Sequence, residues 1–122
     1  MGEIKVVQAV EKHLLREFVE FPYRLYRADP YWVPPLRIAV NELLNTRKHP
    51  FYANAEMACF VALEDGSTVG RIAAVLDRNF NRFHEDNLGF FGFLEMIDSQ
   101  PVADALLGAA REWLQPKQVR AI

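Results

Sequence analysis

With 122 residues, 51% of them hydrophobic and 25% charged, the chain has the size and composition of one foldable domain and not of a disordered polymer. Its net charge of -2 leaves no basic surplus for nucleic acid or an anionic membrane, and no apolar run reaches the ~18 residues that span a bilayer. The one cysteine, Cys59, excludes an internal disulfide and a cysteine metal cluster; MGEIKVV turns charged at once, unlike a signal peptide, so the cytoplasm is the expected compartment.

Ile4 to Val10 is rich in Val and Ile and predicts a short strand. From Glu11 the period changes. Leu14, Leu15, Phe18, Val19 and Phe21 recur at helical spacing, and Pro22 is expected to interrupt that helix because it has no N–H to donate. Tyr23, Leu25 and Tyr26 then fall on a second short helical piece. DPYWVPPL is an irregular aromatic loop, and Pro35 suits the first turn of a helix whose buried face would be Leu36, Ala39, Val40, Leu43 and Leu44.

Beyond Ala55 the period is two. Met57, Cys59, Val61 and Leu63 alternate with Ala58, Phe60 and Ala62, and apolar residues on both faces predict a central strand. Glu64-Asp65-Gly66-Ser67 reads as a hairpin turn into a return strand, Val69 to Asp77. A polar connection with Asn and His follows. Leu88 to Ile97 is a third strand of this set, whose glycines at 89 and 92 mark a bulge or a close backbone approach. Asp98 or Ser99 would cap a helix with Pro101 in its first turn and Leu106, Ala110 and Trp113 on its buried stripe. Val119 to Ile122 reads as the start of another strand. The fold class is therefore α/β (α+β), a mostly antiparallel sheet flanked by helices in the order β-α-α-β-β-β-α-β.

Several side chains carry chemistry. A strand running straight into a helix N-terminus, as at Ile97 to Pro101, is a place where α/β proteins hold anions. Tyr31 and Trp32 either wall an acceptor site or lock their loop onto the sheet. His84 either contacts substrate or fixes its own loop. Its spacing to His13 and His49 gives no metal motif, so no metal is expected. Cys59, with apolar strand neighbours, reads as a small core residue.

FPYRLYRADPYWVPPL (21–36), HPF (49–51), GRIAAVLDRNFNRFHED (70–86) and GFFGFLEMID (89–98), in this element order, resemble the GNAT superfamily of N-acetyltransferases. The nearer resemblance is to a poorly characterised bacterial group of longer GNAT-like proteins, of which this chain would be the N-terminal portion, without the last helix and strands of a complete GNAT fold. The resemblance implies acetyl-CoA or another acyl-CoA as donor and a small-molecule amine as acceptor. It implies that pantetheine runs along the strand at Leu94, Met96 and Ile97, with the pyrophosphate on the turn at Ser99, Val102 and Ala103. The usual Gln/Arg-x-x-Gly-x-Gly/Ala signature is replaced there by IDSQPVA, which has no glycine, one proline and an added carboxylate, so weak or undetectable binding is expected.

The same resemblance makes Glu95 the candidate general base, in apolar surroundings that suit proton removal from an ammonium; the alternative is a strand-end carboxylate paired with Arg71, itself a candidate substrate contact. The expectation is an N-acyltransferase, against a non-catalytic GNAT-like binding or assembly domain or a fragment of a longer protein. A sheet edge left open near Leu88 to Ile97 and Val119 to Ile122 predicts a homodimer.

Overall fold

The computed structural model describes residues 2–122. Four strands, β1 (Ile4–Gln8), β2 (Ala55–Glu64), β3 (Ser67–Asp77) and β4 (Phe90–Met96), form one sheet in the order β1-β2-β3-β4. Every neighbouring pair is antiparallel. The β2–β3 hairpin turns through Asp65 and Gly66, both at positive φ (52° and 81°), the geometry that a two-residue turn between right-twisted strands requires. β2 lies inside the sheet, as its two apolar faces predict.

Alternation along the strands builds a core on each side. Ala58, Phe60, Ile72 and Ala74 point toward α4 (Gln100–Leu114), where Val102, Leu106, Ala110 and Leu114 meet them. Cys59, Val61 and Ala73 point the other way and meet Phe18 of α1 (Lys12–Leu25). Burying side chains of this size contributes about 1.5–3 kcal/mol each. Gly70 lets α4 come close: a Cβ there would lie 2.8 Å from Leu106 Cδ1 and 3.1 Å from Val102 Cγ1.

Four expectations need correction. Pro22 does not interrupt α1, which runs unbroken from Lys12 to Leu25. The reason is long-range: the Phe18 carbonyl, whose helical donor Pro22 cannot be, accepts instead from Arg71 Nη1 at 2.8 Å. The apolar stripe of α2 (Arg37–Leu43) buries no residue, because no second layer covers it; Leu36 and Leu43 are exposed, and Val40 and Leu44 are half-buried. The polar connection after β3 contains a short helix, α3 (Arg78–Phe83), started by Asp77, whose carboxylate accepts the Phe80 N–H. Residues 119–122 form no strand of their own; one parallel bridge joins Ala121 to Leu88.

Candidate functional site

The chemistry-bearing side chains that the fold brings together lie where β4 bulges. Ala73 faces Gly92 and Arg71 faces Glu95, so β4 carries one more residue than β3 over that interval. The bulge puts Phe93 at φ 56°, a left-handed conformation that costs a bulky residue about 1–3 kcal/mol. Its ring meets Phe18 edge-on with centroids 5.8 Å apart, and the two rings carry the Arg71 guanidinium at 5.4 and 4.9 Å. Arg71 is 6% exposed. Burial lowers its pKa and the negative charge of Glu95 opposes that. Its Nε has no hydrogen-bond partner.

Glu95 and Arg71 are cross-strand neighbours, yet among the described residues they form no ion pair. Arg71 instead serves the Phe18 carbonyl, and Glu95 Oε2 accepts a hydrogen bond from the Tyr26 hydroxyl at the end of α1. That bond, first, and then burial push the Tyr26 pKa up to about 12, so the phenol stays a neutral donor at any physiological pH. Glu95 Oε1 has no partner among the described residues and remains an available acceptor.

Trp32 completes the group. Its ring lies 5.2 Å from Tyr26 and 5.4 Å from Tyr23, the second contact edge-on. The aromatic loop is strapped to α1: the Tyr23 hydroxyl donates to the Pro35 carbonyl, and Arg37 lies 3.8 Å over the Tyr23 ring while pairing with Glu20 at 2.7 Å. Glu95, Arg71 and Trp32 are therefore near one another. Tyr31 is not with them; it is 91% exposed, and its N–H binds Asp29. His84 lies beyond the opposite end of β4, with its ring 4.2 Å from Phe80 and 5.0 Å from Phe83.

The residues expected along an acyl-CoA lie at the end of β4 and the start of α4. Leu94, Met96 and Ile97 pack against the core on the α4 side. Val102 and Ala103 are buried, and their N–H groups are already taken, by Ser99 Oγ at 3.4 Å and by the Ser99 carbonyl at 3.1 Å. Pro101 has no N–H, and Asp98 brings a negative charge to the turn. The turn thus offers a pyrophosphate fewer donors than a glycine-bearing one, in line with the weak binding expected from its sequence. Burial pushes the Cys59 thiol up to about 12, which keeps it a core residue and no nucleophile. No trio of metal-ligating side chains, and no helix long and apolar enough to cross a membrane, occurs among the described residues.

Tyr26 was missed by sequence reasoning. It stands 69 residues from Glu95, and no local spacing connects an α1 tyrosine to a β4 carboxylate.

No protein-family model matches the sequence. The chain is 39% identical over 106 residues to Protein YghO of Escherichia coli (strain K12), covering 87% of this chain and 27% of that protein. It is 32% identical over 117 residues to Bacterial ceramide synthase of Caulobacter vibrioides (strain NA1000 / CB15N), covering 95% of this chain and 30% of that protein. The chain thus spans less than a third of these curated relatives. Among solved structures it resembles a tandem GNAT protein from the clavulanic acid biosynthesis pathway, with a TM-score of 0.72 at 16% identity over 96% of this chain and 34% of that one. The chain has a GNAT-like fold, and the relatives it matches are longer proteins, as expected for a portion of such a protein.

Proposed function

We propose that this chain forms the amine-acceptor side of an N-acyltransferase. Glu95 would accept the proton of a substrate ammonium on Oε1, releasing a neutral amine able to attack an acyl group. Tyr26 holds the other carboxylate oxygen by its hydroxyl and so fixes the direction of Oε1. Trp32 and Tyr26 offer aromatic faces beside the carboxylate, a combination suited to a cation. The observation that carries this reading is the Tyr26–Glu95 hydrogen bond at the β4 bulge. The GNAT-like fold and the relative named Bacterial ceramide synthase support it.

An acyl-CoA donor belongs to this reading through the fold, but the β4–α4 turn has no glycine, and Pro101 and Asp98 weaken it as a pyrophosphate anchor. No step of donor chemistry is assigned to this chain. A second reading, a non-catalytic amine-binding or assembly domain, is favoured by that same turn.

The test is a titration of the isotopically labelled protein with butylammonium, followed at the Trp32 indole N–H. The wild type should show a saturable shift that Glu95→Gln loses, since the amide keeps the shape without the charge. An equal response in Glu95→Gln would overturn the acceptor role.

A further inference from the structure

Two strands away from Glu95, a second site-like feature lies between α1, α2 and the β1–β2 side of the sheet. It is a cavity of about 680 Å³, within the ~300–1,000 Å³ range of small-molecule sites. Its floor is apolar: Leu15 and Val19 from α1, Leu44 after α2, and Met57 and Cys59 from β2. Its rim is cationic, with Lys12 at the start of α1 and Arg47 and Lys48 in the turn that follows α2. These three side chains form no ion pair among the described residues. No carboxylate lines the cavity. An adjoining cleft shares Lys12, Leu15, Val19 and Asn41 with it and adds Arg16 and Glu20. Glu20 is already neutralised by Arg37 at 2.7 Å. In a chain of net charge -2, this is a local excess of positive charge over an apolar floor.

We propose that this groove binds a single-chain amphipathic anion, a carboxylate or phosphate head on an aliphatic tail. The tail would lie on Leu15, Val19, Leu44 and Met57. The head would sit among Lys12, Arg47 and Lys48. The arrangement matches both ends of such a molecule: an apolar surface that gains by leaving water, and cations whose pairing fixes orientation. Binding is non-covalent, because burial keeps Cys59 a thiol. The half-buried inner side of α2, with Val40 and Leu44 short of full cover, is the surface the tail would complete.

The site is separate from the acceptor proposal. β3 lies between β2 and β4, and no residue is shared.

The experiment uses octanoate as probe, with octanol as the same tail without charge and acetate as the head without a tail. Amide shifts of Ala9, Leu44 and Cys59 report binding. Octanoate should saturate them at millimolar concentrations or below, with octanol and acetate much weaker. Lys12→Gln/Arg47→Gln/Lys48→Gln changes only exposed rim positions. It should weaken octanoate by about tenfold, as expected for three exposed charge contacts, with an unchanged circular dichroism spectrum. Phosphatidylglycerol vesicles distinguish a free amphiphile from a lipid surface. Octanol binding as tightly as octanoate, an unaffected triple variant, or no octanoate response would overturn the proposal. Vesicle binding without monomeric octanoate binding would overturn it too, making the patch a membrane-facing surface.

Discussion

Arg71 on β3 donates from Nη1 to the carbonyl oxygen of Phe18 on α1, at 2.8 Å and out of contact with water. The acceptor is free because Pro22, four residues on, has no N–H. A buried guanidinium thus stands in for one backbone donor and joins the first long helix to the sheet beside Glu95. The two residues should be energetically coupled. Arg71→Met leaves the Phe18 oxygen unpaired and should cost about 1–3 kcal/mol. In a Pro22→Ala background the helix can supply its own N–H, and the cost of Arg71→Met should shrink. Urea unfolding of the two single variants and the double variant measures the coupling; strict additivity would show that the two side chains act independently.

That relationship also explains how far sequence reading reaches. β2, β3, β4 and α4 were legible to within a residue or two, because a period of two or 3.6 is written locally and the core respects it. Pro22 misled because local rules ignore a donor arriving from residue 71. The stripe on α2 misled because periodicity marks an apolar face without saying whether anything covers it. In the site, Glu95 and Trp32 were legible as chemistry-bearing residues. Their shared neighbour Tyr26 was not, since only the packing of α1 across the sheet brings it to β4.

Tyr26 should titrate late. Its hydroxyl moves from 10.0 to about 12, chiefly through the bond to Glu95. The folded value exceeds the unfolded one, so the stability it contributes is complete below pH 10 and is lost as pH rises toward 12. Tyr52 is also raised, chiefly by burial, so two of the four tyrosines belong to the late class. Tyrosinate absorbance should lose one late ionisation in Tyr26→Phe. An unchanged late class would place Tyr26 away from Glu95 in solution.

At acid pH the last residues should loosen first. Asp86 is held down at about 2, from 3.8, first by its hydrogen bond from Arg120 and then by the Asn87 N–H. A depressed carboxyl contributes above its unfolded pKa and loses that contribution as pH falls from 3.8 through about 2. Arg120 adjoins Ala121, whose carbonyl accepts from Gly89 N–H at 2.9 Å. Hydrogen exchange at Gly89 should accelerate across this window and should be fast at neutral pH in Asp86→Asn. Protection that persists in Asp86→Asn would remove the ion pair from the account.

The outer edge of β4 is unpaired from Phe90 to Met96 among the described residues, with Phe91 exposed beside it. Such an edge recruits a partner strand, and a second copy is the simplest one. Light scattering at low micromolar concentration should give twice the monomer mass, and Phe91→Lys should lower it. A monomer mass for the wild type would refute the dimer.

The most direct test concerns the proposed division of labour, an acceptor site at the β4 bulge beside a weakened pyrophosphate turn between β4 and α4. Calorimetric titration of the purified chain with acetyl-CoA should give no saturable heat at micromolar concentrations, because Pro101 brings no N–H, the N–H groups of Val102 and Ala103 are already bonded, and Asp98 adds a negative charge at the turn. Micromolar or tighter binding that Ser99→Pro abolishes would contradict it, and would show the turn to be a working cofactor site despite its missing glycines.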